Sequence, residues 1–399
     1  GELAAITMKR REKLGPVIII NPFGVLTKTH PYLKSAGFNP LATSFQPEHS
    51  DFYGKTMGFA EALIKRGSVS DSHWTDRARG LIAALIMQAK WFEHEGKVPH
   101  ATIGHVNEML TAPLTSSNKN AKTLRGIMEE ISGHKDKQMA QLATSFTADD
   151  GDDKEIKNVI ATALGQMKFL NDRTLVDDLN KHPTIDGNPF DFEMLKHRII
   201  TVYVILPDDM LTTYAVWLRL VISSAMNAMK RSVPGPVRPI LLLNEIGNLG
   251  YMESLETGMG MAAKKGVTIW MLLQSLAQLS RIYGEHGREA FISGAGVLNS
   301  FKADDWETAE YISKRLGRRT EVLSSYSLRT GETDNASKTE SASGFPLMHP
   351  DQIMALPPRE MLSWIEPAPY PVKLNATGYF DMPWIKGMAP NPYYVERKA

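Results

Sequence analysis

The segment with the clearest chemical potential is Pro239-Ile-Leu-Leu-Leu-Asn244-Glu245. A short apolar run ends in two polar residues, and open α/β sheets bind ligands at the carboxyl ends of their strands. In the Walker B arrangement the first polar residue is an acid that orients the water shell of magnesium. A following Glu polarises the attacking water. Glu245 suits that second role, as catalytic base and water-mediated magnesium partner. Asn244 stands in the first role. Its amide oxygen accepts a hydrogen bond from metal-bound water but brings no charge. A core strand with an ordinary polar end fits the same residues. A second apolar run, Val267–Leu273, ends in Gln274-Ser275. At the tip of a neighbouring strand Gln274 would sense a terminal phosphate. Ser275 equally suits a helix N-cap, and the two roles are compatible.

Other constellations are weaker. No G-x-x-x-x-G-K-[ST] phosphate loop occurs. Gly54-Lys55-Thr56 looks like its tail, but His49 stands where the first Gly belongs, and no strand precedes it. It reads as a decoy. The 11 His include no H-E-x-x-H, and there is no Cys, which removes thiol nucleophiles and zinc ribbons. The acidic run Asp149-Asp150-Gly151-Asp152-Asp153 places Ile160 at the twelfth position, where a calcium loop needs Glu. It reads as a loop leading into a helix N-terminus. Lys264-Lys265 and Arg318-Arg319 are basic pairs at helix ends, where the helix dipole favours cations.

The elements that must position these residues follow from periodicity. The chain has 399 residues, 22% of them charged, with a net charge of +1. This is an ordinary globular composition, long enough for two or three domains. Any nucleic-acid surface must be a local patch. No apolar run reaches the ~18 residues of a membrane span. Leu3–Arg11 predicts a helix and Pro16–Ile20 a strand. From about Thr56 to Asn180 the pattern is helical; Leu81, Leu85, Ala89 and Phe92 mark one stripe. After Asn188 strands and helices alternate. Ile199–Leu206, Pro239–Leu243, Val267–Leu273 and Val297–Phe301 read as strands. Met210–Lys230, Glu253–Lys265, Leu276–Ile282, Arg288–Ser293 and Asp304–Leu316 read as helices. Such alternation predicts a parallel, doubly wound sheet. Arg329–Gly344 holds almost no apolar residue and reads as a flexible loop; Arg329–Lys338 within it suits a pore or rim loop or a plain disordered one. The plan is an α/β domain, residues 1–50 and 189–399, interrupted by an all-α insertion at 51–188.

Taken in order, several segments resemble the type IV secretion coupling proteins, the TraG/VirD-type ATPases. These are Gly1-Glu2-Leu3, Asn21-Pro22-Phe23, Asn39-Pro40-Leu41, Trp74 with Arg79, Thr201–Pro207, Leu218-Arg219-Leu220, Leu241–Gly250, Leu273–Leu279 with Tyr283-Gly284, Asp305–Ser313, and Leu347–Asp351 with Leu356-Pro357. The resemblance implies a RecA-like, P-loop NTPase-type fold with an inserted all-α domain. It implies a homo-hexamer that binds ATP and Mg between subunits. It implies an all-α domain contacting relaxosome or effector proteins, sequence-independent and salt-sensitive contact with DNA, and delivery to a secretion channel at the cytoplasmic face of the bacterial inner membrane. It further implies that the membrane anchor and Walker A lie upstream of Gly1. By itself this sequence is then expected to turn over no ATP, and its own ring state, monomer included, stays open. Two residues depart from the family pattern. Asn244 replaces the Walker B acid, and Ala263 stands where an arginine finger is often found. Lys264 would be the nearest substitute, without the guanidinium fork. A weakened motor fold that serves as cargo-recognition scaffold is the alternative reading.

Overall fold

The protein was analysed as a computed structural model, which describes residues 1–43, 46–65, 72–118, 120–147, 153–231, 233–244, 246–328, 336–385 and 388–393. Glu245, residues 149–152 of the acidic run and residues 329–335 lie outside the described residues. The chain forms two compact units. One holds residues 1–271 and 388–393, the other residues 272–385.

The first unit opens with helix α1 (Glu2–Arg11) and strand β1 (Val17–Ile20). Seven helices follow: α2 (Phe52–Leu63), α3 (Ser72–His94), α4 (Ile103–Leu110), α5 (Leu124–Ser132), α6 (Lys137–Thr144), α7 (Asp153–Gln166) and α8 (Arg173–Leu179). A small hairpin, β2 (Thr184–Ile185) and β3 (Asn188–Pro189), leads to β4 (Thr201–Val204) and α9 (Ala215–Arg231). Then come β5 (Ile240–Leu243), α10 (Ile246–Leu249), α11 (Glu253–Ala262) and β6 (Thr268–Met271).

Side-chain caps explain several helix starts. Thr102, Thr123, Asp136 and Asp172 each accept a backbone N–H of the first turn of the helix they precede. Helix α3 is the axle of the helical layer and packs on α2, α4, α6 and α7. Of the predicted stripe, Leu81, Leu85 and Ala89 are fully buried and Phe92 is half-buried; Ile82, Ala83, Ala84, Ile86 and Met87 are fully buried as well. Burial all round is what a central helix requires. The same apolar core continues without a break through Ile18 and Ile20 of β1, Leu63, Trp217 and Leu220 of α9, and Val267.

The strands of this unit form two parallel pairs. β1 lies on β4 in the register Val17↔Thr201 to Ile20↔Val204. β5 lies on β6 from Ile240↔Thr268 to Leu243↔Met271. The β5–β6 pair is covered on one face only. Leu243 is buried, whereas Ile240, Leu242 and Trp270 are exposed on the other face.

The second unit contains α12 (Leu276–Ser293), β7 (Val297–Ser300), α13 (Trp306–Leu316), β8 (Arg318–Leu328), β9 (Ala336–Pro346), α14 (Pro350–Met354), β10 (Glu360–Ile365) and β11 (Val372–Asn375). β10 pairs antiparallel with both β7 and β11. Ala309, Ile312, Ile353, Leu356 and Leu362 form its core. The two expected helices around Leu276 and Arg288 are the arms of α12, which breaks at Gly284 (φ 72°, ψ 174°). One expectation is overturned. Much of Arg329–Gly344 is not a flexible loop, because residues 336–346 are β9, paired with β8 from Arg318↔Pro346 to Leu328↔Ala336. The Ser/Thr-rich composition signals the lack of a core, but an antiparallel ladder is closed by backbone groups and needs none.

Candidate nucleotide-hydrolysis site

Parallel pairing brings the ends of β5 and β6 to one edge, since Leu243 faces Met271 in the register. Asn244 follows Leu243 directly and is exposed. Glu245 lies outside the described residues. The chain then turns through α10, whose Ile246 and Leu249 are buried, and leaves at Gly250 (φ 69°). That left-handed backbone favours glycine. The turn is held from α9, where Arg219 is buried and its Nη1 donates to the Leu249 carbonyl at 3.1 Å. Burial pushes the Arg219 guanidinium below its ordinary pKa. Helix α11 is tied back to α9 by Ser223 and Ser254, whose hydroxyls are 3.2 Å apart. At that crossing a Cβ on Gly258 would lie 2.4 Å from Met226 Cε, so glycine permits the approach.

Beyond β6, Ser275 caps α12: its hydroxyl accepts the Gln278 N–H at 3.3 Å. Leu276 N–H donates to Thr308 Oγ1 at 3.0 Å, which fixes the start of α12 against α13. Gln274 is exposed, and its Oε1 accepts from Gln278 Nε2 at 3.3 Å. The expected cap is therefore present, and the Gln274 side chain is engaged by Gln278 one turn on. Ala263 and Lys264 are exposed in a 3₁₀ turn, Ala263–Lys265, that leads into β6. Lys264 makes no ion pair among the described residues. The decoy Gly54-Lys55-Thr56 lies inside α2. Thr56 is buried with its hydroxyl bonded to the Phe52 carbonyl, and Lys55 pairs with Asp51 at 2.6 Å.

Two residues at this site escape sequence reading. Arg219 carries a trace in the sequence only as the centre of Leu218-Arg219-Leu220. Lys65 carries none: it sits at the end of α2, and a Cβ on Gly250 would lie 3.4 Å from its Nζ.

A magnesium–nucleotide site is only partly met. The Asn244 amide is neutral, and among the described residues no group of three His, Cys, Asp or Glu could hold a metal. No phosphate loop is present in the sequence. Among the described residues this edge supplies a neutral amide at a strand end. Within the helical layer, a cavity of about 470 Å³ is lined by Tyr53, Arg77, Gly80, Gln141, Leu142 and Phe146, among others. Arg77 is neutralised by Glu155 and lies over the Phe146 ring, so the cavity offers amides and an apolar floor rather than a net charge. Among the described residues no helix is long and apolar enough to cross a membrane.

The parallel pairs β1–β4 and β5–β6, with the helices α2 to α8 inserted in the chain between β1 and β4, belong to an α/β fold of the RecA-like, P-loop NTPase type with an all-α insertion. The fold is shared with solved structures of the bacterial conjugative coupling protein TrwB. The TrwBdeltaN70 trigonal form in complex with sulphate has a TM-score of 0.62 at 16% identity, covering 92% of this chain and 79% of that one. TrwB in complex with ADP and Mg2+ has a TM-score of 0.61 at 16% identity, covering 91% and 78%. The family profile described as Type IV secretory system Conjugative DNA transfer matches residues 1–398, and the chain belongs to that family of coupling proteins. Protein VirD4 of Rhizobium rhizogenes is 27% identical over 387 residues, 96% of this chain and 53% of that protein. The probable conjugal transfer protein TraG of Sinorhizobium fredii is 30% identical over 178 residues, 43% of this chain and 27% of that protein. The chain thus spans about half the length of VirD4.

Proposed function

We propose that this chain is the motor part of a coupling ATPase that recruits DNA and its attached proteins, or effector proteins, and drives them to a type IV secretion channel. The observation that carries the reading is the common edge of the parallel strands β5 and β6, with the exposed Asn244 directly after Leu243. The resemblance to the family assigns Glu245 the role of base and Gln274 that of phosphate sensor. ATP and Mg are bound between subunits of a hexamer at the cytoplasmic face of the bacterial inner membrane, with the phosphate loop supplied by the full-length polypeptide. The all-α insertion at 51–188 receives the cargo, and its cavity of amides and apolar floor suits uncharged peptide surface. Contact with DNA works through phosphate neutralisation and weakens with salt.

A second reading has its own support. Asn244 lacks the acid's charge, and Ala263 lacks the guanidinium of a finger worth ~10³–10⁵ in rate. The fold then serves as a nucleotide-gated assembly scaffold. Mg-ATP hydrolysis by the full-length protein, with and without DNA, separates the two. DNA-stimulated turnover that falls by roughly 10²–10⁴ in Glu245→Gln is the expected result. Nucleotide binding and ring assembly with no turnover would replace the motor by the scaffold.

A further inference from the structure

The turn that follows Asn244 is held from two layers of the first unit. From below, Arg219 of α9 donates to Leu249 O at 3.1 Å, the last carbonyl of α10. Arg219 is buried, and a buried guanidinium is tolerated only when its hydrogen bonds are satisfied. Moving the Leu249 carbonyl would strand it, so the bond resists displacement of the turn. The α10 C-terminus also carries the negative end of the peptide dipoles, which favours a cation there. From above, Lys65 at the end of α2 lies against Gly250. A Cβ on Gly250 would meet Lys65 Nζ at 3.4 Å and Cε at 3.9 Å. The end of α2 is itself fixed, because Arg79 Nε of α3 donates to the Ile64 carbonyl at 3.1 Å. Ile64 is fully buried in the core that α3 runs through.

We propose that Arg219 and Lys65 are positioning residues for the turn after Asn244, and that Lys65 makes the helical insertion a structural part of the hydrolysis site. Arg219 fixes the carbonyl end of α10. Lys65 occupies the space into which a side chain at position 250 would project, so the insertion reaches this turn directly. The proposal rests on the hydrolysis reading above for its catalytic consequence, but not for its structural one.

The test uses the full-length protein with Arg219→Met, Arg219→Lys and Lys65→Ala. Hydrogen exchange of the peptide covering residues 246–250 is measured without nucleotide, and Mg-ATP turnover beside it. Arg219→Met is expected to speed exchange about ten- to a hundredfold, the worth of one hydrogen bond to a charged group. It lowers kcat by a similar factor with KM little changed, and Arg219→Lys, which keeps one donor, recovers most of both. Lys65→Ala, at an exposed position that cannot unfold the core, speeds exchange in 246–250 more than in α9. Unchanged exchange in Arg219→Met overturns the role of Arg219, and unchanged exchange in Lys65→Ala overturns that of the insertion. If Arg219→Met fails to fold, Arg219→Gln takes its place, and unchanged exchange in 246–250 there overturns the role of Arg219. Faster exchange in a protein with no turnover at all upholds the positioning and refutes the hydrolysis reading instead.

Discussion

Gly37→Ala should loosen the joint between β1 and the helical layer by a few kcal/mol, on the order of a left-handed alanine plus an overpacked site. Gly37 has φ 80°, and a Cβ there would lie 2.3 Å from Lys181 Cβ and 2.7 Å from the Asp178 carbonyl oxygen. Optimal carbon contacts are ~3.5–4.0 Å, so the loop or the end of α8 must move by roughly 1.2 Å or more. The neighbouring Phe38 N–H bonds that same Asp178 carbonyl at 3.2 Å, and the Ala36 N–H bonds Ile19 O at 2.8 Å. Retreat therefore breaks contacts on both sides. The left-handed backbone costs an alanine about 1–2 kcal/mol, and overpacking a filled site about 1–3 kcal/mol. The total is ~2–5 kcal/mol, and at ~2–4 °C per kcal/mol the melting temperature falls by at least several degrees. The control is Gly58→Ala in α2, where a Cβ meets no heavy atom within 4 Å. It should stabilise by ~1 kcal/mol through helix propensity. Differential scanning calorimetry of both variants checks the pair. A Gly37→Ala protein that melts with the parent would refute the close approach on which the reasoning rests.

Two further predictions concern titration. The Asp172 carboxylate, 2.5 Å from the Tyr214 hydroxyl, pushes that phenol up to about 12. The folded value is raised above the unfolded one, so the stabilisation is complete below the ordinary tyrosine value of 10 and is lost as pH rises towards 12. Tyr214→Phe should thus lose less stability than the parent over that alkaline range in urea titrations; an equal loss would mean that the bond does not form. Asp178 is buried, its Oδ2 has no hydrogen-bond partner among the described residues, and burial pushes its carboxyl above the ordinary aspartate value. Its contribution is most favourable at acid pH and declines as pH rises through the folded value. Asp178→Asn should therefore gain stability at neutral pH relative to acid, and a variant with the parent's pH dependence would argue against a buried charge.

Much of the framework was legible in the residues. The β-branched run at Val17–Ile20, the stripe Leu81, Leu85, Ala89 and the apolar run before Asn244 reported their elements, because helix and strand periods are local properties. The Ser275 cap was legible for the same reason: a capping hydroxyl reaches only two or three residues along its own chain. The decoy Gly54-Lys55-Thr56 was separable because a phosphate loop needs a strand before it. The hairpin of β8 and β9 was not legible, since its ladder joins backbone groups and leaves little mark on side-chain composition.

The sequence by itself therefore determined which polar residues follow the apolar runs and what chemistry they bring: the neutral amide at Asn244, the acid at Glu245, the polar pair at Gln274-Ser275. Only the tertiary structure decided what stands around them. The parallel register aligned the ends of β5 and β6, and packing through one continuous core set Arg219 under Leu249 and Lys65 over Gly250. Those contacts join residues far apart in the chain. No local period encodes them, because they exist only once α2, α3 and α9 have closed on the same apolar interior.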